Sequence, residues 1–143
     1  MANCLLCNSL KEKNKTLIKK FKYWSLFLSF NQHGLGTTFI VINHHIERLN
    51  KVTKEEFNNL YLVMKKLENS LDKTFKPDKI NYLMMANTVH HVHFQVIPRY
   101  KEKRVFAGKE WKDEKWGHRP VLTHDKEDDK VLNQIKKTIS NNL

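Results

Sequence analysis

The stretch His91-Val92-His93-Phe94-Gln95-Val96-Ile97-Pro98-Arg99 alternates polar ring or amide side chains with apolar ones. A period of two marks a β-strand with one face turned to a core. It puts His91, His93 and Gln95 on one face and Val92, Phe94 and Val96 on the other. Neighbours on one face lie about 7 Å apart. The apolar face needs a partner, and the segment opened by Thr53 supplies one. Thr53 followed by Glu56 reads as a capping box. Phe57, Leu60, Tyr61, Met64, Leu67 and Leu71 then recur at near-helical spacing, and Pro77 closes the element.

Further strands are expected at Phe21–Phe30, at Thr37–Ile42 after the turn marked by Gly34 and Gly36, and near Asn81–Ala86. A last helix should begin near Asp125 and run to about residue 141, with Val131, Leu132, Ile135 and Ile139 inward. The stretch from Tyr100 to Asp125 has little regular period. Strands joined by short turns with two packing helices indicate an α+β domain on an antiparallel sheet, with residues 1–143 read as a single domain.

The chain has 143 residues, of which 40% are hydrophobic and 29% charged, so it is expected to be globular rather than disordered. No apolar run reaches the roughly 18 residues of a membrane span, which argues against a membrane partner. The start, Met1-Ala2-Asn3-Cys4-Leu5-Leu6-Cys7, lacks the pattern of a signal peptide, so a cytoplasmic location is expected. A net charge of +11 favours anionic partners without choosing among nucleotides, nucleic acid and anionic membrane. The scattered lysines also fit an ordinary solvated surface.

Only two cysteines are present, Cys4 and Cys7. In a reducing compartment such a pair binds metal or serves redox chemistry. No strand precedes it, as one would in a thioredoxin-like site, so metal is the better reading. On the histidine strand, a neutral imidazole is a nucleophile near pH 7, and neighbouring donors can hold the oxygens of a phosphoryl group. Two His and a Gln on one face also suit a chance metal site, and spacing alone does not decide.

The run His91 to Arg99 resembles the signature of the histidine triad (HIT) proteins. The likeness extends to Gly36–His45, to Thr53-Lys54-Glu55-Glu56, and to Asn81-Tyr82, Asn87-Thr88, Pro98-Arg99-Tyr100 and Phe106-Ala107-Gly108. It covers about residues 4–120. The resemblance implies a five-stranded antiparallel sheet with two helices, usually joined sheet to sheet in a homodimer. It implies cleavage or transfer of nucleoside monophosphates from dinucleoside polyphosphates or related nucleotides, by a hydrolase or a nucleotidyltransferase. The nucleophile would be His93, with a covalent nucleotidyl intermediate, flanked by His91 and Gln95.

Where the family motif commonly has a third His, this chain has Gln95, a form resembling the transferase branches. A Gln bonds phosphate oxygens but cannot act as a charged acid. Asn87 and Thr88 match a phosphate-touching pair of relatives, and Ser29 falls where a ribose ligand often stands, with Asn31 nearby. By the same resemblance a zinc ion would be held by Cys4, Cys7, His45 and His91, with His44 and His90 as neighbours that could substitute. Four protein ligands leave no open position, so that zinc would be structural. The competing expectation is a nucleotide- or RNA-binding zinc protein without turnover. The Cys-to-His separation is too long for a nucleic-acid-binding zinc finger, and an intact His93 argues against a mere binder, so nucleic acid is disfavoured as the partner.

Overall fold

The structure is a computed structural model that describes residues 3–11 and 13–143. Met1 and Ala2, which entered the reading of the N-terminus, lie outside the described residues. Short helix α1 spans Leu5–Lys11, followed by β1 Leu17–Lys20, β2 Trp24–Leu28 and β3 Thr38–Ile42. Then come α2 Lys54–Thr74, β4 Lys79–Leu83, β5 His93–Arg99, the hairpin β6 Arg104–Phe106 and β7 Lys109–Trp111, and α3 Asp129–Ser140. The main sheet has five strands in the order β1-β2-β3-β5-β4, every neighbouring pair antiparallel. The expected α+β fold is thus present, with α1 as a third, short helix.

Alternation along the strands divides the sheet into two faces. One face carries Trp24, Leu26, Leu28, Ile40, Ile42, Val92, Phe94 and Val96, which join one core with Leu60, Val63, Leu67 and Leu71 of α2 and Leu132, Ile135 and Ile139 of α3. Burying each such side chain contributes roughly 1.5–3 kcal/mol before the entropy of ordering it. Polar Ser70 is tolerated there because its hydroxyl donates to the Ile139 carbonyl at 2.8 Å, tying α2 to the end of α3.

The α2 capping box is formed. The Glu56 N–H donates to Thr53 Oγ1 at 3.3 Å, and the Thr53 N–H donates to Glu56 Oε2 at 2.7 Å. The inward stripe differs from the expected one: Phe57 and Tyr61 are exposed, and Val63 and Ser70 are buried. The stripe rotates because Glu56 is drawn inward by its bonds. Its other oxygen meets His44 Nε2 at 2.7 Å, and its carbonyl accepts the Trp24 indole N–H at 2.8 Å.

Other boundaries also move. The expected strand Phe21–Phe30 is β2 alone, five residues long; β1, with its bulge, had no reading. Strand β4 begins two residues before Asn81 and ends at Leu83. Helix α3 starts at Asp129, where the Asp128 side chain accepts from the N–H groups of Lys130 and Val131. The irregular stretch contains the β6–β7 hairpin, closed by Ala107 and Gly108, both at positive φ as a two-residue turn requires. Gly34 sits against the Pro98 carbonyl, where a Cβ would stand 2.2 Å from the oxygen.

Candidate functional site

The second face of the sheet points away from α2 and α3. Cross-strand register aligns Phe27, Phe39, Gln95 and Leu83 in one row over β2, β3, β5 and β4. In the next row Val41 stands opposite His93. Gln95 is buried and His93 half-buried. The predicted shared face of His93 and Gln95 is therefore present, against a wall of aromatic side chains. The Phe39 and His93 rings lie 5.9 Å apart.

His91 departs from the expected alternation. Strand β5 begins at His93, and His91 lies in the preceding bend, fully buried. Its side chain turns to the N-terminal segment, while its carbonyl accepts the His93 Nδ1–H at 2.6 Å. Because a carbonyl only accepts, this bond puts the ring proton on Nδ1 and leaves the His93 Nε2 lone pair available.

Cys4, Cys7, His45 and His91 converge, with their four donor atoms all within 4.8 Å of one another. His91 Nδ1 is 3.5 Å from each sulfur, and His45 Nδ1 is 3.4 Å from Cys7 Sγ. Tetrahedral zinc at ordinary bond lengths separates sulfur and nitrogen ligands by about 3.5 Å, so the donor set fits that ion. The outer nitrogens are also provided for: His91 Nε2 donates to the Ile42 carbonyl at 2.8 Å, and His45 Nε2 faces Glu47 Oε1 at 3.4 Å. Burial lowers the proton affinity of His91 despite its bond to Ile42, and nearby His45 and His93 add to the effect, so it stays neutral as a ligand must. Burial works to raise the Cys4 thiol, but hydrogen bonds from Cys7 and His45 bring it below its ordinary value. Burial and the neighbouring Cys4 push Cys7 up. Two thiols this close cannot both ionise easily unless a cation joins them.

Arg99, at the end of β5, is 5% exposed and gives all five of its N–H donors to protein. It grips Asp113 through Nε at 2.6 Å and a terminal nitrogen at 3.1 Å, and also reaches Asn81 and the carbonyls of Lys115 and His118. Burial works to raise the Asp113 carboxyl, but Arg99 and the Lys115 N–H hold it below the usual carboxylate value. The motif's arginine is thus an anchor for the segment 113–118, a role its spacing did not reveal.

The HIT domain model matches residues 10–102, about two-thirds of the chain. The chain belongs to the HIT family. A bis(5'-adenosyl)-triphosphatase of Dictyostelium discoideum is 33% identical over 71 residues, covering 46% of this chain and 48% of that protein. A HIT-like protein of Bartonella henselae superposes with a TM-score of 0.78 at 16% identity, covering 100% of this chain and 98% of that one. A zinc-bound histidine triad protein of Mycobacterium smegmatis superposes with a TM-score of 0.69 at 15% identity, covering 98% and 95%. These two structural likenesses establish the HIT fold.

The remaining expected residues of this HIT domain scatter. The Ser29 side chain is buried, and its hydroxyl donates to the Asn31 carbonyl at 2.8 Å and accepts the Asn31 N–H at 3.2 Å. It is thereby occupied in its own turn. It still borders a cavity of about 180 Å³ that Phe27, Phe39, Val41 and Leu6 also line. Asn87 and Thr88 are exposed on the loop between β4 and β5. Thr88 borders a cleft of about 240 Å³ shared with Cys4, His45 and His90. His44 takes Glu56 as its partner and His90 is exposed, so neither replaces its neighbour in the cluster. No helix among the described residues is long and apolar enough to cross a membrane.

Proposed function

We propose that this HIT protein cleaves nucleotides at the α-phosphorus by transfer through His93. Nε2 of His93 attacks, the bond from phosphorus to the bridging leaving-group atom breaks, and the leaving group departs with that electron pair. Water or another acceptor then attacks the nucleotidyl–His93 adduct and frees Nε2. The observation carrying this reading is the His93 Nδ1–H bond to the His91 carbonyl, which holds the ring as a nucleophile aimed by Nε2. Gln95 donates its amide N–H groups to the phosphate oxygens; Asn87 and Thr88, exposed on the β4–β5 loop, belong to this proposal as donors that the substrate would have to draw in. The cavity beside Phe27 and Phe39 receives the nucleoside, with Ser29 shaping its end.

Zinc at Cys4, Cys7, His45 and His91 completes the reading, as a structural ion with no open position. Its chemistry there is to hold thiolate and imidazole donors together. Reduced thiols of that kind suit the cytoplasm. The unpaired outer edge of β4 is the surface through which two copies would join their sheets. Among substrates, dinucleoside polyphosphates fit best, since Gln95 gives little acid help and a polyphosphate leaves readily without it.

The test is to incubate the protein with diadenosine tetraphosphate, with and without inorganic phosphate, and identify products by mass. AMP and ATP in both samples are expected from a hydrolase, and ADP formed only with phosphate from a phosphorylase. Intact-protein mass should show an added AMP after rapid acid quench. No product and no adduct, with this or any phosphoramidate or nucleotide sugar, would sink the reading.

A further inference from the structure

The turn between β2 and β3 carries three residues that line the cavity beside Phe27 and Phe39: Ser29, Phe30 and Asn31. Gln32 braces this turn from inside. Its buried amide donates to the carbonyls of Ser29 and Thr37 at 2.8 and 2.9 Å, and accepts the N–H groups of Gly36 and Thr37 at 2.8 and 3.1 Å. A turn braced in this way shifts as one body. Residues 121–128 run over it as a strap, without helix or strand, that leads into α3. The strap is exposed except at Thr123 and Glu127, and those two bond the turn. The Thr123 N–H donates to His33 Nδ1 and the Glu127 N–H to the Phe30 carbonyl, both at 2.9 Å.

A main-chain N–H only donates, so the bond at His33 exists only while Nδ1 is unprotonated. Protonation sets two donors face to face and breaks it. The bond at Phe30 joins two main-chain groups and does not titrate. We infer that His33 is a positioning residue for the nucleoside cavity: neutral, it clasps the strap to the turn, and protonated, it lets the strap go and loosens the cavity end formed by Ser29, Phe30 and Asn31. The inference rests on the reading of that cavity as the nucleoside site.

Three elements surround His33: its own turn, the strap, and the end of β5, where Gly34 meets the Pro98 carbonyl. The turn has no other ionisable residue. The strap brings His124, which disfavours a second positive charge beside it. It also brings exposed Asp125, Lys126 paired with Asp129 at 3.1 Å, and Glu127 paired with Lys109 at 2.6 Å. The end of β5 brings Arg99, whose charge Asp113 matches. Burial first, and His124 second, hold the His33 ring below the ordinary imidazole value. The clasp is therefore closed above about pH 6.5 and opens as pH falls through that lower value.

The experiment measures the Kd of AMP from pH 7.5 down to pH 5 in the wild type, His33→Asn and His33→Ala, and follows the Thr123 amide resonance over the same range. His33→Asn keeps an acceptor oxygen close to the Nδ1 position and cannot titrate. Comparing variants at one pH cancels the ionisation of AMP and of His93. Wild type and His33→Asn should bind AMP alike at pH 7.5, and at pH 5 the wild type should bind about threefold or more weaker than His33→Asn. His33→Ala should be weaker than His33→Asn at both. The Thr123 amide should move with the midpoint of the His33 ring in the wild type and stay still in His33→Asn. A ratio of wild type to His33→Asn that does not change with pH overturns the positioning role. A Thr123 amide that ignores the ring overturns the clasp itself. If AMP binds none of the three proteins at pH 7.5, the nucleoside reading of the cavity fails, and the clasp then stands or falls on the amide resonance.

Discussion

Two ends of His91 serve different neighbours: its ring faces the cysteines, and its carbonyl fixes the proton of His93. Substitutions should therefore separate the two roles. His93→Ala leaves the His91 main chain and ring in place, so the adduct should vanish while zinc content, read by atomic emission, stays at the wild-type level. Cys4→Ala should do the reverse, lowering zinc content first, and activity only as far as the His91 bend relaxes. Loss of zinc in His93→Ala would show that the two sites are not separable in this way. At this scale much was legible. The alternation exposed His93 and Gln95, and the lone cysteine pair pointed to metal. The occupation of Ser29 by its own turn was not legible, since a hydroxyl bonding two residues onward leaves no trace in spacing. Nor was the Arg99–Asp113 grip, a pairing made only when the chain folds back on itself.

Helix α2 begins at the Thr53–Glu56 box, and Glu56 also holds His44, the residue before His45. Burial works to raise the Glu56 carboxyl, yet the Thr53 N–H, His44 and the Thr53 hydroxyl outweigh it and hold it below the usual value. A depressed folded value means that the stabilisation is present above the unfolded carboxyl value, about pH 4.3, and is lost as pH falls through the folded one. Glu56→Gln should therefore cost about 1–2 kcal/mol at pH 7 in denaturant unfolding, with the gap to wild type shrinking below pH 4. A gap independent of pH would mean that the charge of Glu56 contributes nothing. The box was readable because a cap is a local device. The exposed Phe57 and Tyr61 were misread because the inward bond of Glu56 turns the stripe toward Val63. Strand β1 and the β6–β7 hairpin escaped because strands of three or four residues with their charged residues at one end hold too few positions to show a period.

Across the molecule, the Cys/His cluster joins positions 4, 7, 45 and 91, so a metal there would close long loops between α1, the turn after β3 and the bend before β5. Removing it frees the unfolded-like motions of all three. A strong chelator should lower Tm by at least about 5 °C, equivalent to a loss of a kcal/mol or two, and added zinc should restore it. A Tm indifferent to chelator would mean that the four residues hold no ion in the purified protein. The row Phe27–Phe39–Gln95–Leu83 has its own consequence. Its outer members are three strand spacings apart, about 14 Å. Side chains so separated, with no shared partner, combine their effects by simple addition of free energies. Alterations at Phe27 and at Leu83 should then act one at a time, and a doubly altered enzyme should show the product of the two single changes in kcat/KM.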